Sequence, residues 1–323
     1  MVQSYKKHWI FPIFRSKFPI MEAQLIKQIA LSQGFDLCGI TPARHLADGE
    51  KRFQQWLKNG YGESLEYMHR NCDKRFDARL LVEGAHSVVV CAVSYKTNAD
   101  NAYYLNCRTK VASYARNRDY HKSIKKMLQK VLKQLQEHYP SLQGRAFVDS
   151  APISEKLYAV EAGLGWVGGQ SLLITPQFGS FIHLGVLVLN DKVDSYDKPY
   201  EGVGCGECRR CIDACPTGAI IGHGTIDTRR CISCHTIEAE PQNSIDLNGW
   251  IFGCDECQRH CPYNKMAPLH SNEAFNPIFD PAEYSAERWL AMSEEEFADT
   301  FAATPLKRSG LRRIQQNVER NTK

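Results

Sequence analysis

The chain has 323 residues, 43% hydrophobic and 24% charged, an ordinary globular balance with room for one large domain and a small one. A formal net charge of +4 is too small to argue nucleic-acid binding by itself. No stretch is long and apolar enough to span a bilayer.

Residues 1–20 read as a loose extension. The apolar run Trp9-Ile10-Phe11 follows Lys6 and Lys7 but is broken by Pro12, and Arg15 and Lys17 follow it without a small-residue cleavage site. With no twin-arginine pair either, the expected compartment is the cytoplasm, where thiols stay reduced. Met21 makes a natural domain start. Leu25, Ile26, Ile29 and Ala30 fall at helical spacing over 22–33, and Phe35 to Ile40 follows as a short strand. A helix over 49–58 stops at Asn59-Gly60, and the polar, aromatic run through Tyr67, Arg70 and Arg75 reads as a loop. Ser87 to Tyr95 is apolar on both faces and β-branched, which predicts a buried central strand.

Residues 96–118 are polar and irregular. Asp119-Tyr120-His121 then opens a helix to His138, with the stripe Ile124, Leu128, Val131, Leu132 and Leu135. Lys122, Lys125, Lys126, Lys130 and Lys133 lie largely off that stripe, as a solvated face or as a phosphate-facing one. Arg145 to Asp149 reads as a strand ending in a carboxylate, and Pro152 and Ser154 introduce a helix to Ala162 with Ser154 as N-cap. Gly163-Leu164-Gly165-Trp166-Val167-Gly168-Gly169 breaks it, and so many glycines imply close backbone approach. The GxGxxG order is absent, so this is no dinucleotide fingerprint. Leu172 to Thr175 and Phe181 to Leu189 are further strands. Residues 21–190 thus form an α/β domain, 191–270 a cysteine-rich module behind a polar linker, and 271–323 a helical segment carrying Trp289, Phe297, Phe301 and the basic run Lys307 to Arg313.

The module reads Cys205-x2-Cys208-x2-Cys211-x3-Cys215-Pro216, then Cys231, then Cys254-x2-Cys257-x3-Cys261-Pro262. The first run has the bacterial ferredoxin spacing, in which three thiolates hold one [4Fe–4S] cube and the fourth crosses to another. The second run with Cys231 supplies the ligands for a pair of cubes. Cys234 is then left over, and spacing leaves Cys231 and Cys234 as alternative candidates. Structural zinc has no need for two CxxxCP endings, and disulfides would need an oxidising compartment. Two neighbouring cubes make a one-electron conduit. Asp149, at a strand end before the glycine-rich segment, is the candidate acid if burial raises its pKa; a turn or capping aspartate is the plainer reading. Asp119, Tyr120 and His121 form a second polar group, whose plainer reading is a helix cap.

Several of these motifs, in order from Met21 to Arg313, resemble those of the epoxyqueuosine reductase family, relatives of the reductive dehalogenases. They are Val148-Asp149-Ser150-Ala151-Pro152, Ala162-Gly163-Leu164-Gly165-Trp166, Asp119-Tyr120-His121, Arg230-Cys231-Ile232-Ser233 and Gly253-Cys254-Asp255-Glu256-Cys257-Gln258, besides the first cysteine run. The resemblance implies a nitroreductase-like domain binding cobalamin, joined to a ferredoxin-type module. It assigns Cys205, Cys208, Cys211 and Cys261 to one cube and Cys215, Cys231, Cys254 and Cys257 to the other. It makes Asp149 the proton donor, kept protonated in a dry pocket, and puts Arg75, Asp149, Gln170, Ser171, Leu173 and Ile174 along the corrin. The implied reaction removes the epoxide oxygen of epoxyqueuosine in a tRNA anticodon loop, with electrons passing through the clusters from a low-potential donor. The expected enzyme is a monomer without a membrane partner. The chain departs from relatives at Cys234-His235 and Ala112, and a C-terminal helical-repeat domain is not expected before Lys323. A non-catalytic electron-transfer protein and a dehalogenase-like enzyme are the alternatives.

Overall fold

The computed structural model describes residues 20–98, 104, 107–240 and 244–322, so all but Ile20 of the expected extension lies outside the described residues. A four-stranded antiparallel sheet forms the centre of the first domain. Its strands are β1 (Leu37–Pro42), β2 (Ser87–Ser94), β3 (Gly144–Phe147) and β4 (Ile182–Leu189), in the order β1-β2-β4-β3. All eight residues of β2 are buried, as its run of valines requires. Their alternation divides the core in two. Val89, Cys91 and Val93 face helices α1 (Ala23–Ser32) and α2 (Tyr120–His138) through Ile26, Ile29, Ile124, Leu128, Val131 and Leu135. Val88, Val90 and Ala92 face helix α3 (Glu155–Glu161) through Tyr158 and Ala159, with Phe76 beside them. The period of two in the strand and of 3.6 in the helices therefore builds three layers.

Several details differ from the sequence reading. Where a loop was expected around Tyr67 to Arg75, two short helices form, Glu66–His69 and Cys72–Arg75, joined by Asn71 in the left-handed region at φ 51°. Ser154 holds the N-cap position of α3 but its hydroxyl makes no capping bond. That first turn is used otherwise: Ser154 N–H donates to the Arg75 carbonyl at 2.8 Å, and Glu155 Oε1 accepts from the Asp149 N–H at 2.8 Å. Both bonds fix the loop that carries Asp149.

The cysteine module is built from short helices, Arg210–Asp213, Ile232–Ile237, Glu256–Arg259 and Pro262–Met266. A strand, Trp250–Phe252, pairs in parallel with Lys110–Val111, inside the stretch expected to be irregular. The C-terminal helix α4 (Gly310–Thr322) closes over that strand. Asn317 Nδ2 donates to the carbonyls of Thr236 and Ile251, and Asn321 Nδ2 to that of Trp250. Val111, Ile251, Phe252, Trp289, Phe301, Leu306 and Ile314 share one core, so the C-terminal segment holds the module against the first domain. Among the described residues no helix is long and apolar enough to cross a membrane.

Candidate active site

Asp149 sits just past β3, with a left-handed backbone at φ 51°. Tyr120 Oη donates to its Oδ2 at 2.6 Å, and His121 Nε2 lies 3.3 Å from the same oxygen. The His121 ring is anchored on its other side, with Nδ1 2.7 Å from Asp119 Oδ1. Asp119 is also the N-cap of α2, since the same oxygen accepts from the His121 N–H at 3.1 Å. The capping reading and the polar-cluster reading of this motif are both realised by one carboxylate.

The electrostatics bear on one expectation. Asp149 was expected to stay protonated in a dry pocket. In the protein alone its side chain is 54% exposed and its carboxyl is held below the usual range. The His121 hydrogen bond is the main cause, with burial opposing it and Tyr120 adding to it. These surroundings favour the proton on His121. Burial alone would push this imidazole down, but the bonds to Asp119 and Asp149 raise it to about 9. Burial, and then the charge of Asp149, push Glu155 up to about 8.

The expected cofactor residues gather around this loop and the glycine-rich segment. Strand Leu173–Ile174 pairs with Trp166–Val167, so the segment folds back on itself. A side chain at Gly165 would meet the Ile174 carbonyl oxygen at 2.0 Å, which explains the glycine. Leu173 and Ile174 are buried, and Ser171 adopts φ 65° with its carbonyl accepting from Lys156 Nζ at 2.5 Å. Gln170 is 1% exposed, yet its Nε2 finds no partner among the described residues; the same holds for Nε of Arg75. Buried donors left unpaired are costly, and both fit a ligand rich in amide carbonyls, such as the periphery of a corrin.

Gln170 and Ile174 also line the cavity formed by Cys205, Cys208, Cys211 and Cys261. A Cβ at Gly169 would lie 3.1 Å from Cys211 Sγ, and Trp166 Nε1 donates to Cys205 Sγ at 3.3 Å. The other set converges too. Burial pushes the Cys257 thiol well up, and the neighbouring thiols that add to this are Cys231, Cys215 and Cys211. Cys254 is raised by burial and by Cys257 and Cys231. Cys234 is buried and raised to about 12 by burial, then by Cys231 and Glu238, and is not grouped with Cys215 or Cys254. Among the described residues no group of three or more His, Cys, Asp or Glu closes around a single ion. A cube spreads its four thiolates around a larger body.

Sequence reasoning missed two contributors. Trp166 was read only as part of a glycine-rich break, although an indole beside CxxC runs is a ready N–H donor to sulfur. Arg308 was named only as part of a basic run, but its charge reaches Asp149 while its guanidinium pairs with Glu238 at 2.7 Å. The lysines at 122, 125, 126, 130 and 133 are all exposed, as both readings of that helix face require.

Residues 75–150 match the family described as epoxyqueuosine reductase QueG, DUF1730, and residues 204–264 match the 4Fe-4S double cluster binding domain. The chain is 42% identical over 301 residues to an epoxyqueuosine reductase of Cyclobacterium marinum, covering 91% of this chain and 95% of that protein. It is 38% identical to that of Escherichia coli, covering 92% of this chain and 79% of that one. A crystal structure of epoxyqueuosine reductase with a modified tRNA-Tyr stem loop superposes with TM-score 0.81 at 27% identity, over 92% of this chain and 80% of that chain. The Bacillus subtilis enzyme, with TM-score 0.80 at 27% identity over 92% and 80% of the two chains, was solved with an aspartate catalytic loop swung out of its active site. Extended similarity to several such enzymes, with the double-cluster module in place, shows that the chain belongs to the epoxyqueuosine reductase family.

Proposed function

We propose that this chain is a cobalamin-dependent, cytoplasmic, monomeric enzyme that converts epoxyqueuosine to queuosine in tRNA, with Asp149 giving the proton that releases the epoxide oxygen. Residues 21–190 serve as the cobalamin domain, 191–270 as the cluster module and 271–323 as the segment that closes them together. The observation that carries this reading is the meeting of Asp149, Tyr120 and His121 beside a glycine-rich segment whose Gln170 lines the Cys205–Cys261 cavity. Arg75, Gln170, Ser171, Leu173 and Ile174 hold the corrin, the two unpaired donors supplying amide-carbonyl contacts. When bound, cobalamin supplies a strongly nucleophilic low-valent metal, and the clusters supply single electrons from a low-potential donor. The overall balance is epoxide plus two electrons and two protons, giving alkene and water.

The chain's own part is orientation and proton delivery. Tyr120 fixes Asp149 Oδ2 at 2.6 Å, and the Glu155 bond to the Asp149 N–H sets the loop. Cys205, Cys208, Cys211 and Cys261 hold one cube, and Cys215, Cys231, Cys254 and Cys257 the other. The exposed lysines of α2 contact tRNA phosphates around the anticodon loop, where a base is extruded at low cost. Trp166→Phe removes an N–H donor from a cluster ligand, and such donors favour the more electron-rich reduced cube. The midpoint potential of that cube is expected to fall by roughly 20–60 mV, one net hydrogen bond for a one-electron couple. An EPR-monitored redox titration reads the change.

The reading is tested with anaerobically purified protein carrying reconstituted clusters, assayed on epoxyqueuosine-containing tRNA by mass spectrometry of the nucleosides. Queuosine formed only when cobalamin is added supports it. Eight irons without any cobalamin affinity would leave only electron transfer.

A further inference from the structure

The proton that Asp149 delivers has to be resupplied from somewhere, and its Oδ2 already accepts from Tyr120 at 2.6 Å and lies 3.3 Å from His121 Nε2. We propose that Asp119 and His121 form a loading relay, in which the imidazolium passes its Nε2 proton to Asp149 Oδ2 and is recharged from solvent while Asp119 holds the ring. This rests on the reading of Asp149 as the acid and adds the group that reloads it.

The geometry supplies each requirement. Asp119 Oδ1 binds both the His121 backbone N–H and Nδ1, at 3.1 and 2.7 Å, so the helix cap also fixes the ring. Nε2 is then the only ring nitrogen left for Asp149, 3.3 Å away. The Tyr120 ring is stacked between His121 and His183, with centroids 4.1 Å from each, which holds the imidazole plane. His121 keeps 30% of its side chain exposed, an opening through which solvent can return a proton.

The charged and titratable groups around the ring agree with this role. Asp119 and Lys122 lie on its own helix; Asp149, Glu155 and Lys156 come from the loop and α3; His183 comes from β4; Tyr114 and Arg308 face Asp149. Burial pushes His183 down to about 3, so it stays neutral and adds no competing cation. Glu155, raised to about 8, adds a third nearby negative charge only above that pH. The two closest charges are the carboxylates of Asp119 and Asp149, both favouring imidazolium.

The balance involves protons alone. The His121 Nε2–H bond breaks as an Asp149 O–H bond forms; that bond breaks in turn as the substrate oxygen is protonated, and water or buffer restores His121. Because the raised imidazole loses its proton as pH climbs through about 9, relay-dependent turnover is present below that pH and lost above it.

The test joins a titration to a rescue. In full-length protein with oxidised clusters and no cobalamin, NMR of 13Cε1-labelled histidine, assigned through His121→Gln, should show His121 titrating near 9. Its midpoint should drop in Asp119→Asn and in Asp149→Asn. In the loaded enzyme, His121→Ala should slow queuosine formation by about 10- to 100-fold, and free imidazole should restore much of the rate. Ordinary His121 titration in the wild type overturns the relay. Turnover of His121→Ala at the wild-type rate, with Asp149→Asn inactive, also overturns it and leaves Asp149 as an acid loaded directly from water. If Asp149→Asn turns over normally as well, the acid reading itself fails and the relay goes with it. Should His121→Ala not retain its clusters, Asp119→Asn decides: the alkaline limb of its rate profile must move to lower pH, and an unmoved limb overturns the relay.

Discussion

Asp149→Asn is expected to lower queuosine formation by about 10²- to 10⁴-fold, the range a positioned general acid contributes, while the protein keeps its iron. Asparagine is the informative replacement for a conformational reason. Asp149 holds φ 51°, a region in which asparagine is at ease and most other side chains are not. The amide oxygen can still accept from Tyr120 and the backbone N–H can still donate to Glu155, so the loop keeps its anchors. What disappears is the carboxyl proton and the negative charge beside His121. Asp149→Ala would confuse that loss with backbone strain. Single-turnover product formation, measured against iron content and cobalamin-binding spectra, checks the prediction. A rate within about threefold of wild type would remove Asp149 from the chemistry.

The parts of this molecule that were legible in the sequence are those set by local periodicity. Ser87 to Tyr95 announced a central strand because valines on both faces suit only a strand covered on both sides, and β2 is that strand. The stripe from Ile124 to Leu135 gave α2, and Asp119 gave its cap. The cysteine runs were legible because cluster ligation fixes short spacings. Contacts between distant segments were not. Lys110–Val111 is two residues long and exists as a strand only because Trp250–Phe252 lies beside it. Trp166 meets Cys205 through the fold-back of the glycine-rich segment, which no spacing rule encodes. The surroundings of Asp149 were not legible for the same reason. A strand-end aspartate suggests burial, but the neighbour that decides its proton is His121, brought in from another element.

The leftover cysteine gives the other large effect. Cys231→Ala is expected to reduce bound iron from about eight to about four per chain and to abolish turnover, whereas Cys234→Ala should retain about eight irons and turnover within a few-fold of wild type. Cys231 stands at the N-cap of the helix Ile232–Ile237, in extended backbone, and Cys234 lies within the helix. Cys231 acts on Cys254 and Cys257 and is itself raised by burial and by Cys215, the company a ligand of that cube must keep. Cys234 is buried against Glu238, and its charge is felt by Tyr67, which also feels Asp149. Its substitution by alanine removes one buried sulfur and no member of either proposed ligand set. Iron and sulfide analysis with EPR of the reduced protein distinguishes the two variants. Loss of one cube in Cys234→Ala, with both retained in Cys231→Ala, would reverse the ligand assignment and require the helix Ile232–Ile237 to turn when the cluster binds.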